Sequence, residues 1–333
     1  MLVDFSPPAG RAGKAEEKIN KFSGSENKTT ILYNCEIYML KYPDPVRQGK
    51  FRENLSYKNN QFSEHIGSQI FKTCGFNTQE TFLGTFADRN GTLKIVVACK
   101  DFTQNGSTLY EFSKLANQSL LDKLDKNISI EDVYTIIEKN LAIKDKQAII
   151  KAFWDMFVID ALIGNRDRHF GNFGLLEHNG AFDFAPIYDC GSSLSALLDD
   201  EHMEYELLDS TRFKQNAFNI TSCYRMNDRR IFYHEIFKNL PHDLQNAIKR
   251  TVPKIDLGPP ADPPAGRAGR AGKIGNIIDE TPKISDIRKE YLKSAVLLRY
   301  EQILLPSFRR LEKEKAKSNA ILPKSKKRYS HDR

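Results

Sequence analysis

The strongest constraint on the fold lies in the middle of the chain, where a long apolar segment runs directly into a group of polar residues. Residues 145–163 place apolar side chains on a broad face at helical spacing, which predicts a core helix. Gly164 and the polar residues 165–172 follow at once, and a second polar group occupies residues 186–191. The predicted helix therefore delivers the chain straight into these polar residues.

Three oxygen-bearing side chains in these groups have a distinctive spacing. Asn172 lies five residues after Asp167, and Asp189 lies seventeen residues after Asn172, with glycines nearby. Two carboxylates and one amide suit a hard divalent cation such as Mg²⁺. Protein-kinase catalytic loops use the same order, with a catalytic Asp, an Asn that holds metal and a later Asp-x-Gly that holds metal. We interpret Asp167 as a candidate catalytic residue and Asn172 and Asp189 as candidate metal ligands; the alternative for Asp167 is a turn or cap residue.

The chain before the central helix predicts a small β-rich lobe. Residues 29–33 and 36–41 are short β-prone runs that predict a hairpin, and residues 81–86 and 94–99 predict two further strands. Residues 61–71 carry an apolar stripe with helical spacing. These patterns together predict a sheet accompanied by one helix.

Candidate phosphate-binding groups occur in this lobe. Lys41 ends a predicted strand and Glu64 lies off the apolar stripe of the next helix, which is the order found in kinase small lobes. Residues 23–28 form a loop of small residues, including Ser25 and Lys28, whose backbone N–H groups could approach an anion. Taken singly, these signals favour plainer alternatives: the loop lacks the Walker spacing and suits a flexible turn, and lysines and glutamates are usually solvated.

The two lobes would be connected by residues 99–102. In a kinase this hinge binds adenine through backbone hydrogen bonds, so Cys99 and Asp101 are candidate nucleotide contacts. His169 and Arg168 could balance charge near the phosphates, and a structural histidine bonded to the backbone is an equally good interpretation of His169. Beyond the hinge the pattern becomes helical, at 145–163, at 231–251 with a division at Pro241, and at 285–305.

Several motifs together resemble the HipA family of bacterial serine/threonine kinases, and within it the cell-translocating kinase A branch. The motifs are Gly-Asn-Arg-Asp-Arg-His-x-x-Asn at 164–172, Pro-x-Tyr-Asp-x-Gly at 186–191, Ile-Tyr-Met-Leu-Lys-Tyr-Pro at 37–43, Phe-Ser-Glu at 62–64, Val-Val-Ala-Cys-Lys-Asp-Phe at 96–102 and Phe-Trp-Asp-Met-Phe-Val at 153–158. Phosphoinositide-type kinases share Asp-Arg-His-x-x-Asn, but carry Asp-Phe-Gly where this chain has Asp-Cys-Gly at 189–191.

The resemblance implies an α+β, protein-kinase-like fold of two lobes, with a small antiparallel β lobe containing one helix and a large, mainly helical C-terminal lobe. It implies that Asp167 is catalytic, that Asn172 and Asp189 hold Mg²⁺, and that Lys41, backed by Glu64, contacts ATP. It also implies a protein substrate, and autophosphorylation in the loop at residues 23–28. That loop is poor in glycine, and 28 residues precede the first predicted hairpin, so we do not expect the N-terminal subdomain of HipA here.

Two other classes of function stay open at this point. One is a kinase of a small molecule or a phosphoinositide-like lipid, and the other is a nucleotide-binding interaction module without catalysis. Residues 192–211 follow Asp189 where kinases place an activation segment, and their serines and threonines are candidate phosphorylation sites. Exposed hydroxyl residues in a loop are the ordinary alternative.

The predicted organisation has one repeated element outside the lobes. Pro-Pro-Ala-Gly-Arg-Ala-Gly occurs at both 7–13 and 263–269, and its composition predicts exposed, flexible surface segments. We expect a flexible N-terminus at 1–20, a small ATP-binding lobe at 21–101, a large lobe at 102–305 with a flexible insertion at 258–275, and a basic tail at 306–333.

Composition limits the compartment and the partners. No apolar run reaches the length of a membrane helix and residues 1–13 lack a signal-peptide core, so we expect a cytoplasmic bacterial protein, with export by a signal-independent route left open. Five scattered cysteines without a Cys-x-x-Cys pair indicate free thiols. The net charge of +7 is concentrated after residue 305, which argues against nucleic-acid binding elsewhere in the chain. The run at 324–328 suits a solvated end, or a nuclear-import-like patch in a host cell.

Overall fold

A six-stranded sheet forms the small lobe of the computed structural model, which describes residues 2–5, 15–18, 28–43, 59–87, 91–104, 106–116, 128–227, 229–258 and 272–321. Its strands, in chain order, are β1 (Val3–Asp4), β2 (Ala15–Lys18), β3 (Lys28–Tyr33), β4 (Glu36–Lys41), β5 (Thr81–Ala87) and β6 (Leu93–Lys100). The spatial order is β1-β5-β6-β4-β3-β2, and the pairings are antiparallel except for the parallel pair of β1 and β5.

The predicted hairpin sets the position of two lysines. Asn34 and Cys35 both have positive φ, at 50° and 63°, as a tight two-residue hairpin turn requires. The turn fixes the register of β3 and β4, and in that register Lys28 lies directly opposite Lys41. Both lysines therefore stand together at the open end of the hairpin.

Helix α1 (Asn60–Thr73) covers one face of the sheet, as the apolar stripe predicts. Its buried side chains Ile66, Ile70 and Phe71 join the main core together with Met39 and Val97 from the sheet. Burying apolar surface between a helix and a sheet is the main force that holds such layers together. The contact fixes the direction in which the opposite face of α1, which carries Glu64, points.

The large lobe is mainly helical, with two small sheets. The three-stranded sheet contains β7 (Thr108–Glu111), β8 (Gly174–His178) and β9 (Ala181–Phe184), and the hairpin contains β10 (Thr221–Met226) and β11 (Arg229–Phe232). The helices are α2 (Ile130–Lys139), α3 (Lys146–Ile163), α4 (Asp200–Leu208), α5 (Ser210–Phe218), α6 (Tyr233–Lys238), α7 (His242–Thr251), α8 (Lys273–Glu280), α9 (Asp286–Arg299) and α10 (Leu305–Ile321), with a π-helical turn at Tyr300–Leu304.

Helix α3 is the centre of this lobe and confirms the predicted core helix. The Asp145 side chain caps its N-terminus by accepting from the backbone N–H of Ala148, and Trp154 is fully buried within it. The helix ends at Gly164, whose φ of 67° lies in the left-handed region that glycine adopts without strain. The polar residues 165–172 thus leave from the end of the most buried helix of the lobe.

The structure differs from the predicted organisation at both ends of the chain. Residues 3–4 and 15–18, which we assigned to a flexible N-terminus, pair with the sheet as β1 and β2. The segment assigned to a tail begins as α10, where Leu311 is 2% exposed. Strands β1 and β2 are defined by their pairing with other strands, and α10 packs against residues distant in sequence. Such contacts are not visible as a periodic pattern in the sequence.

Smaller differences concern helix boundaries. Residues 231–232 belong to β11 instead of a helix, and residues 273–275 of the predicted insertion begin α8.

Both copies of the Pro-Pro-Ala-Gly-Arg-Ala-Gly sequence lie outside the described residues. All five cysteines are present as thiols, and four of them are buried. In the described part of the chain, no helix has the length and apolar character needed to cross a membrane.

The central position of α3 predicts a large difference between two leucine substitutions. Leu162→Ala removes a fully buried side chain from α3 and should lower the free energy of unfolding by about 2–5 kcal/mol. Leu141→Ala removes a side chain that is 94% exposed and should change it by less than about 0.5 kcal/mol. Urea unfolding of both variants tests this, and similar losses would contradict the assignment of α3 to the core.

Candidate active site

A cavity of about 710 Å³ lies between the two lobes. The small lobe contributes lysines to its lining and the large lobe contributes aspartates, so the cavity has both positive and negative groups. Its apolar lining includes Met39, Phe102, Leu109 and Tyr188, which gives one region suited to a flat ring. The polar lining brings together most of the predicted site residues: Lys28, Lys41, Asp101, Asp167, His169, Asn172 and Asp189.

Lys41 connects the two lobes at this cavity. Its Nζ lies 2.9 Å from Glu64 Oε2 and 2.9 Å from Asp189 Oδ1. Lys41 and Glu64 are 4% and 1% exposed, so the plain alternative of two solvated surface charges is wrong. The second oxygen of Glu64 accepts a hydrogen bond from the backbone N–H of Cys190 at 3.1 Å. One glutamate therefore holds both the lysine and the segment that follows Asp189.

Two glycines allow α1 to approach that segment closely. A Cβ atom on Gly67 would stand 2.7 Å from Cβ of Cys190, and one on Gly191 would stand 3.2 Å from Glu64 Oε2. Real Cβ atoms essentially never come as close as the first of these distances. The absence of a side chain at Gly67 therefore brings Glu64 within reach of both Lys41 and Cys190.

The loop carrying Asp167 is held by a buried ion pair. The Arg168 guanidinium donates from Nε and Nη2 to the two carboxylate oxygens of Asp160 on α3, at 2.9 and 3.0 Å. Arg168 also donates from Nη1 to the backbone oxygens of Asn172 and Tyr188. Arg168 is 1% exposed, so our expectation that it could balance phosphate charge is wrong. It positions the loop. Burial acts to lower the pKa of Arg168, but the Asp160 carboxylate, with further contributions from Cys190, outweighs it and raises that pKa.

Asn172 and Asp167 are fixed to each other through the backbone. The Asn172 amide nitrogen donates to the backbone oxygen of Asp167 at 2.7 Å, and the Asp167 N–H donates to the side-chain oxygen of Asn165 at 3.1 Å. Because the amide nitrogen of Asn172 serves the loop, its amide oxygen stays available as an acceptor for another group. That is the atom a metal ligand at this position would use.

His169 combines the two roles that the sequence left open. Its Nδ1 accepts from the backbone N–H of Gly171 at 3.0 Å, so the neutral ring carries its proton on Nε2. Nε2 lies 4.0 Å from Asp167 Oδ2, and the ring also lines the cavity. The backbone bond is structural, while the other nitrogen faces the carboxylate that we identified as the catalytic candidate.

The two aspartates of the cavity are tuned in opposite directions. Burial raises the pKa of the Asp167 carboxyl; the charges of His169 and nearby arginines oppose this shift and that of Asp189 adds to it. Burial acts in the same sense on Asp189, but the Lys41 ammonium, with its hydrogen bond, outweighs it and lowers the pKa of Asp189 below its ordinary value. One carboxylate is thus made more basic and the other is kept ionised, a division of roles typical of reaction centres.

The side chains of the two predicted hinge residues serve the fold, and their backbone contacts with a nucleotide stay a prediction. Cys99 is completely buried in the core and is not among the residues that line the cavity. The Asp101 carboxylate lines it, but already accepts from the backbone N–H and the hydroxyl of Thr103, at 2.8 and 2.6 Å. The side chain of Asp101 therefore caps a turn, and hinge position alone did not reveal that role. Ser25 lies outside the described residues.

Sequence reasoning missed two residues that organise this site. Asp160 lies on the fully buried part of α3, and a carboxylate on an apolar helix face was the available signal. Gln79 lines the cavity and donates from Nε2 to the backbone oxygen of Lys100 at 3.0 Å. No local pattern identifies Gln79, because its hydrogen bond is to β6, a strand distant in sequence.

Comparisons with known proteins find relatives over most of the chain. The family model of the HipA-like C-terminal domain matches residues 20–252. The serine/threonine-protein kinase CtkA of Helicobacter pylori is 34% identical over 291 residues, covering 85% of this chain and 82% of that protein. The crystal structure of a Helicobacter pylori proinflammatory kinase, CtkA, has a TM-score of 0.79 at 33% identity and covers 94% of this chain and 99% of that one. This likeness confirms the predicted two-lobe, kinase-like α+β fold.

Replacing Asp167 by asparagine should stabilise the fold at neutral pH. The raised pKa means that the charged carboxylate opposes folding, and Asp167→Asn removes that charge without changing the shape. The free energy of unfolding should therefore rise at pH 7. The gain should disappear as the pH falls through the raised pKa to below the ordinary aspartate value, where the carboxyl is neutral in both states. Urea unfolding between pH 3 and pH 8 measures this difference.

Asp189→Asn should have the opposite effect. The lowered pKa means that the ionised carboxylate stabilises the fold above its ordinary pKa, through its contact with Lys41. The variant should be less stable than the parent at pH 7, and the difference should shrink as the pH falls through the lowered pKa. Shifts of the same sign for both variants at pH 7 would contradict the division of roles between the two aspartates.

Proposed function

The chain belongs to the family of HipA-like C-terminal domains, and we propose that it transfers the γ-phosphoryl group of ATP, with Mg²⁺, to serine or threonine residues of proteins. Its enzyme class, serine/threonine-protein kinase, follows from the relationship to CtkA over most of both chains. Use of ATP and Mg²⁺, autophosphorylation and the role of each site residue are parts of the proposal.

One observation carries the proposal. The Lys41 ammonium lies 2.9 Å from Glu64 and 2.9 Å from Asp189, in a cavity that Asp167 and Asn172 also line. A strand lysine held by a helix glutamate, facing a metal-binding aspartate, is the arrangement that phosphoryl transfer requires in protein kinases. Solvated surface charges at Lys41 and Glu64, and a turn or cap role for Asp167, would not require these residues to lie together.

We assign nucleotide binding to the small lobe and the hinge. Lys41 and Lys28 stand opposite each other on adjacent strands and supply positive charge for the phosphates. Met39, Phe102 and Tyr188 provide apolar surface for the adenine ring. The remainder of the phosphate loop, including Ser25, lies outside the described residues and stays a prediction.

The residues present suit Mg²⁺ together with a nucleotide. Asp189 is kept ionised by Lys41, and the amide oxygen of Asn172 is available. Within the described residues, no group of three or more His, Cys, Asp or Glu side chains could hold a metal alone. Mg²⁺ normally binds through one or two carboxylates plus phosphate oxygens, so this donor set agrees with a site completed by ATP. Bound Mg²⁺ would neutralise charge on the phosphates during transfer.

Asp167 receives the proton of the attacking hydroxyl in this proposal. Its raised pKa makes it a better base than an ordinary aspartate, and the Arg168 contacts hold its loop in place. His169 Nε2 carries a proton on the Asp167 side of the ring and can donate it to an anionic oxygen in the cavity. Asp167 therefore orients the hydroxyl while His169 offsets negative charge beside it.

The partners proposed here are protein substrates and the chain itself. The resemblance to HipA kinases makes Ser23 and Ser25 candidates for autophosphorylation, and both lie outside the described residues. We propose action in the bacterial cytoplasm; export, and an import-like role for residues 324–328, rest on the sequence alone.

Substitution of Asp167 tests the reaction directly. Asp167→Ala removes the proposed base and should lower the rate of phosphate transfer from labelled Mg-ATP to the chain and to a generic protein substrate by about 10²–10⁴-fold. Asp189→Ala removes a proposed Mg²⁺ ligand and should abolish phosphate transfer at all Mg²⁺ concentrations. Phosphate incorporation is measured by mass spectrometry and by label counting.

Asp183→Ala provides the matched control, because Asp183 is an exposed aspartate on β9 outside the cavity. It should leave the rate within about twofold of the parent chain. Undiminished transfer by Asp167→Ala would refute the proposed mechanism. Labelling of a phosphoinositide panel without protein labelling would favour the lipid-kinase alternative, and ATP binding without any transfer would favour a non-catalytic module.

A further inference from the structure

Arg299, at the end of α9, is a buried cation that forms no ion pair within the described residues. It is 1% exposed, and its Nε donates to the backbone oxygen of Leu162 at 2.6 Å, at the end of α3. Its Nη2 is buried and has no hydrogen-bond partner among the described residues. A guanidinium taken out of water normally requires a carboxylate or a comparable anion. The single carbonyl at a helix C-terminus supplies only part of that compensation.

A second guanidinium, that of Arg166, acts on Arg299 through its charge. Burial lowers the pKa of Arg299 to about 10; the Tyr291 phenol opposes this shift, and the positive charge of Arg166 contributes to it. Within the described chain, no ion pair joins Arg166 or Arg299 to a carboxylate, although Arg168 and Arg288 nearby both have one. We call Arg166 and Arg299 the arginine pair. Arg299 is buried, whereas Arg166 is exposed and feels the charge of the Glu206 carboxylate. Two guanidinium groups that act on each other and form no ion pair suit an anion with several oxygens, such as a phosphate ester.

The segment after Asp189 is bonded to the backbone at the end of α3 and at the start of the next loop, next to the carbonyl that Arg299 contacts. The backbone N–H of Arg166 donates to Ser192 O at 3.4 Å, and that of Leu194 donates to Ile163 O at 2.9 Å. The Tyr291 phenol donates to Glu206 at 2.6 Å, and the Ser195 side chain is a further hydrogen-bond partner of that phenol. Tyr291 is thus the contact that connects Ser195 to the environment of the arginine pair.

Ser195 is the hydroxyl of this segment that suits modification. Ser193 is fully buried and donates to Cys190 O at 2.7 Å, and Ser192 lines the nucleotide cavity. Ser195 is half-buried, and both it and Leu194 have positive φ, at 53° and 51°. Two successive non-glycine residues in the left-handed region are strained. Rearrangement of this turn would relieve the strain, and an ionic contact made by a group on Ser195 would favour it.

We propose that Ser195 is phosphorylated and that the arginine pair binds the resulting phosphate. This inference rests on the proposed function, because ATP supplies the phosphoryl group. In the step, the Ser195 oxygen forms a bond to the γ-phosphorus, and the bond from that phosphorus to the β–γ bridging oxygen breaks. ADP leaves, and the hydroxyl proton passes to Asp167 of the copy that catalyses the reaction. Because the segment is packed against its own large lobe, a second copy of the chain is the natural catalyst.

The bound phosphate has a defined physical effect. It supplies the negative charge that Arg299 lacks and forms charge-assisted hydrogen bonds with one or both guanidinium groups. The segment that begins at Asp189 would then be fastened to α9 and to the start of the loop that carries Asp167. Phosphorylation at Ser195 therefore stabilises the arrangement of the proposed metal ligand and the proposed base.

The binding half of the proposal is tested without relying on activity. Phosphoserine is inserted at position 195 during translation of the Asp167→Asn chain, which keeps the protein free of its own phosphorylation. The midpoint of thermal unfolding should rise by about 2 °C or more relative to the unmodified Asp167→Asn chain. Phosphoserine at Ser318, an exposed serine on α10, is the matched control and should give no such rise. Equal midpoints for the two phosphorylated chains would overturn the proposal.

Arg299→Met separates the specific contact from a general effect of charge. The unmodified variant should unfold at the same temperature as its parent or higher, because an uncompensated buried charge has been removed. The gain from phosphoserine 195 should be lost in Arg299→Met. A gain that persists in this variant would refute the role of Arg299. A rise produced by inorganic phosphate, dependent on Arg299 but unaffected by phosphoserine 195, would assign the site to a free anion instead.

The modification half is tested by mixing the active chain with the Asp167→Asn chain and Mg-ATP, and mapping phosphate by mass spectrometry. Phosphate on Ser195 of the inactive chain is expected. Phosphate at other residues only would overturn the inference while leaving the proposed function intact. No phosphate on any residue or substrate would refute the proposed function itself, so the two failures are distinguishable.

Discussion

The buried ion pair between Arg168 and Asp160 is the contact on which the geometry of the catalytic region depends. Asp160 belongs to the most buried helix of the large lobe, so the guanidinium bound to it has a fixed position and orientation. The same guanidinium holds the backbone oxygens of Asn172 and Tyr188. It therefore sets the separation between the loop that carries Asp167 and Asn172 and the segment that presents Asp189. Arginine suits this role because its planar donors serve several acceptors at once.

The contact between the lobes has a similar logic but a different location. Glu64 binds the Lys41 ammonium with one oxygen and the Cys190 N–H with the other. A helix of the small lobe is therefore bonded directly to a segment of the large lobe. The missing side chain at Gly67 lets the helix come close enough for this. Both lobes are thereby arranged around one lysine before any ligand is considered.

The sequence was sufficient for features that depend on local pattern or motif spacing. The burial of α3, the β3–β4 hairpin and the convergence of Lys41, Glu64, Asp167, Asn172 and Asp189 on one region all followed from periodicity and order. The structure was needed wherever a role depends on a partner distant in sequence. Arg168 looked like a phosphate-binding residue until its contact with Asp160 appeared. Nothing in the sequence indicated that the Asp101 carboxylate accepts hydrogen bonds from Thr103. The polar strand β2 has no apolar alternation at all, and only its pairing with β3 defines it.

The thiol that follows the proposed metal ligand has a practical consequence. Cys190 lies between α1 and the Arg168 guanidinium, and burial raises its pKa to about 12. Alkylating reagents attack the thiolate, so this cysteine is chemically silent as long as α1 covers it. Separation of the lobes would expose the sulfur and bring its pKa back towards that of an ordinary thiol. The rate of Cys190 alkylation therefore measures opening of the cleft with a group that the chain already carries.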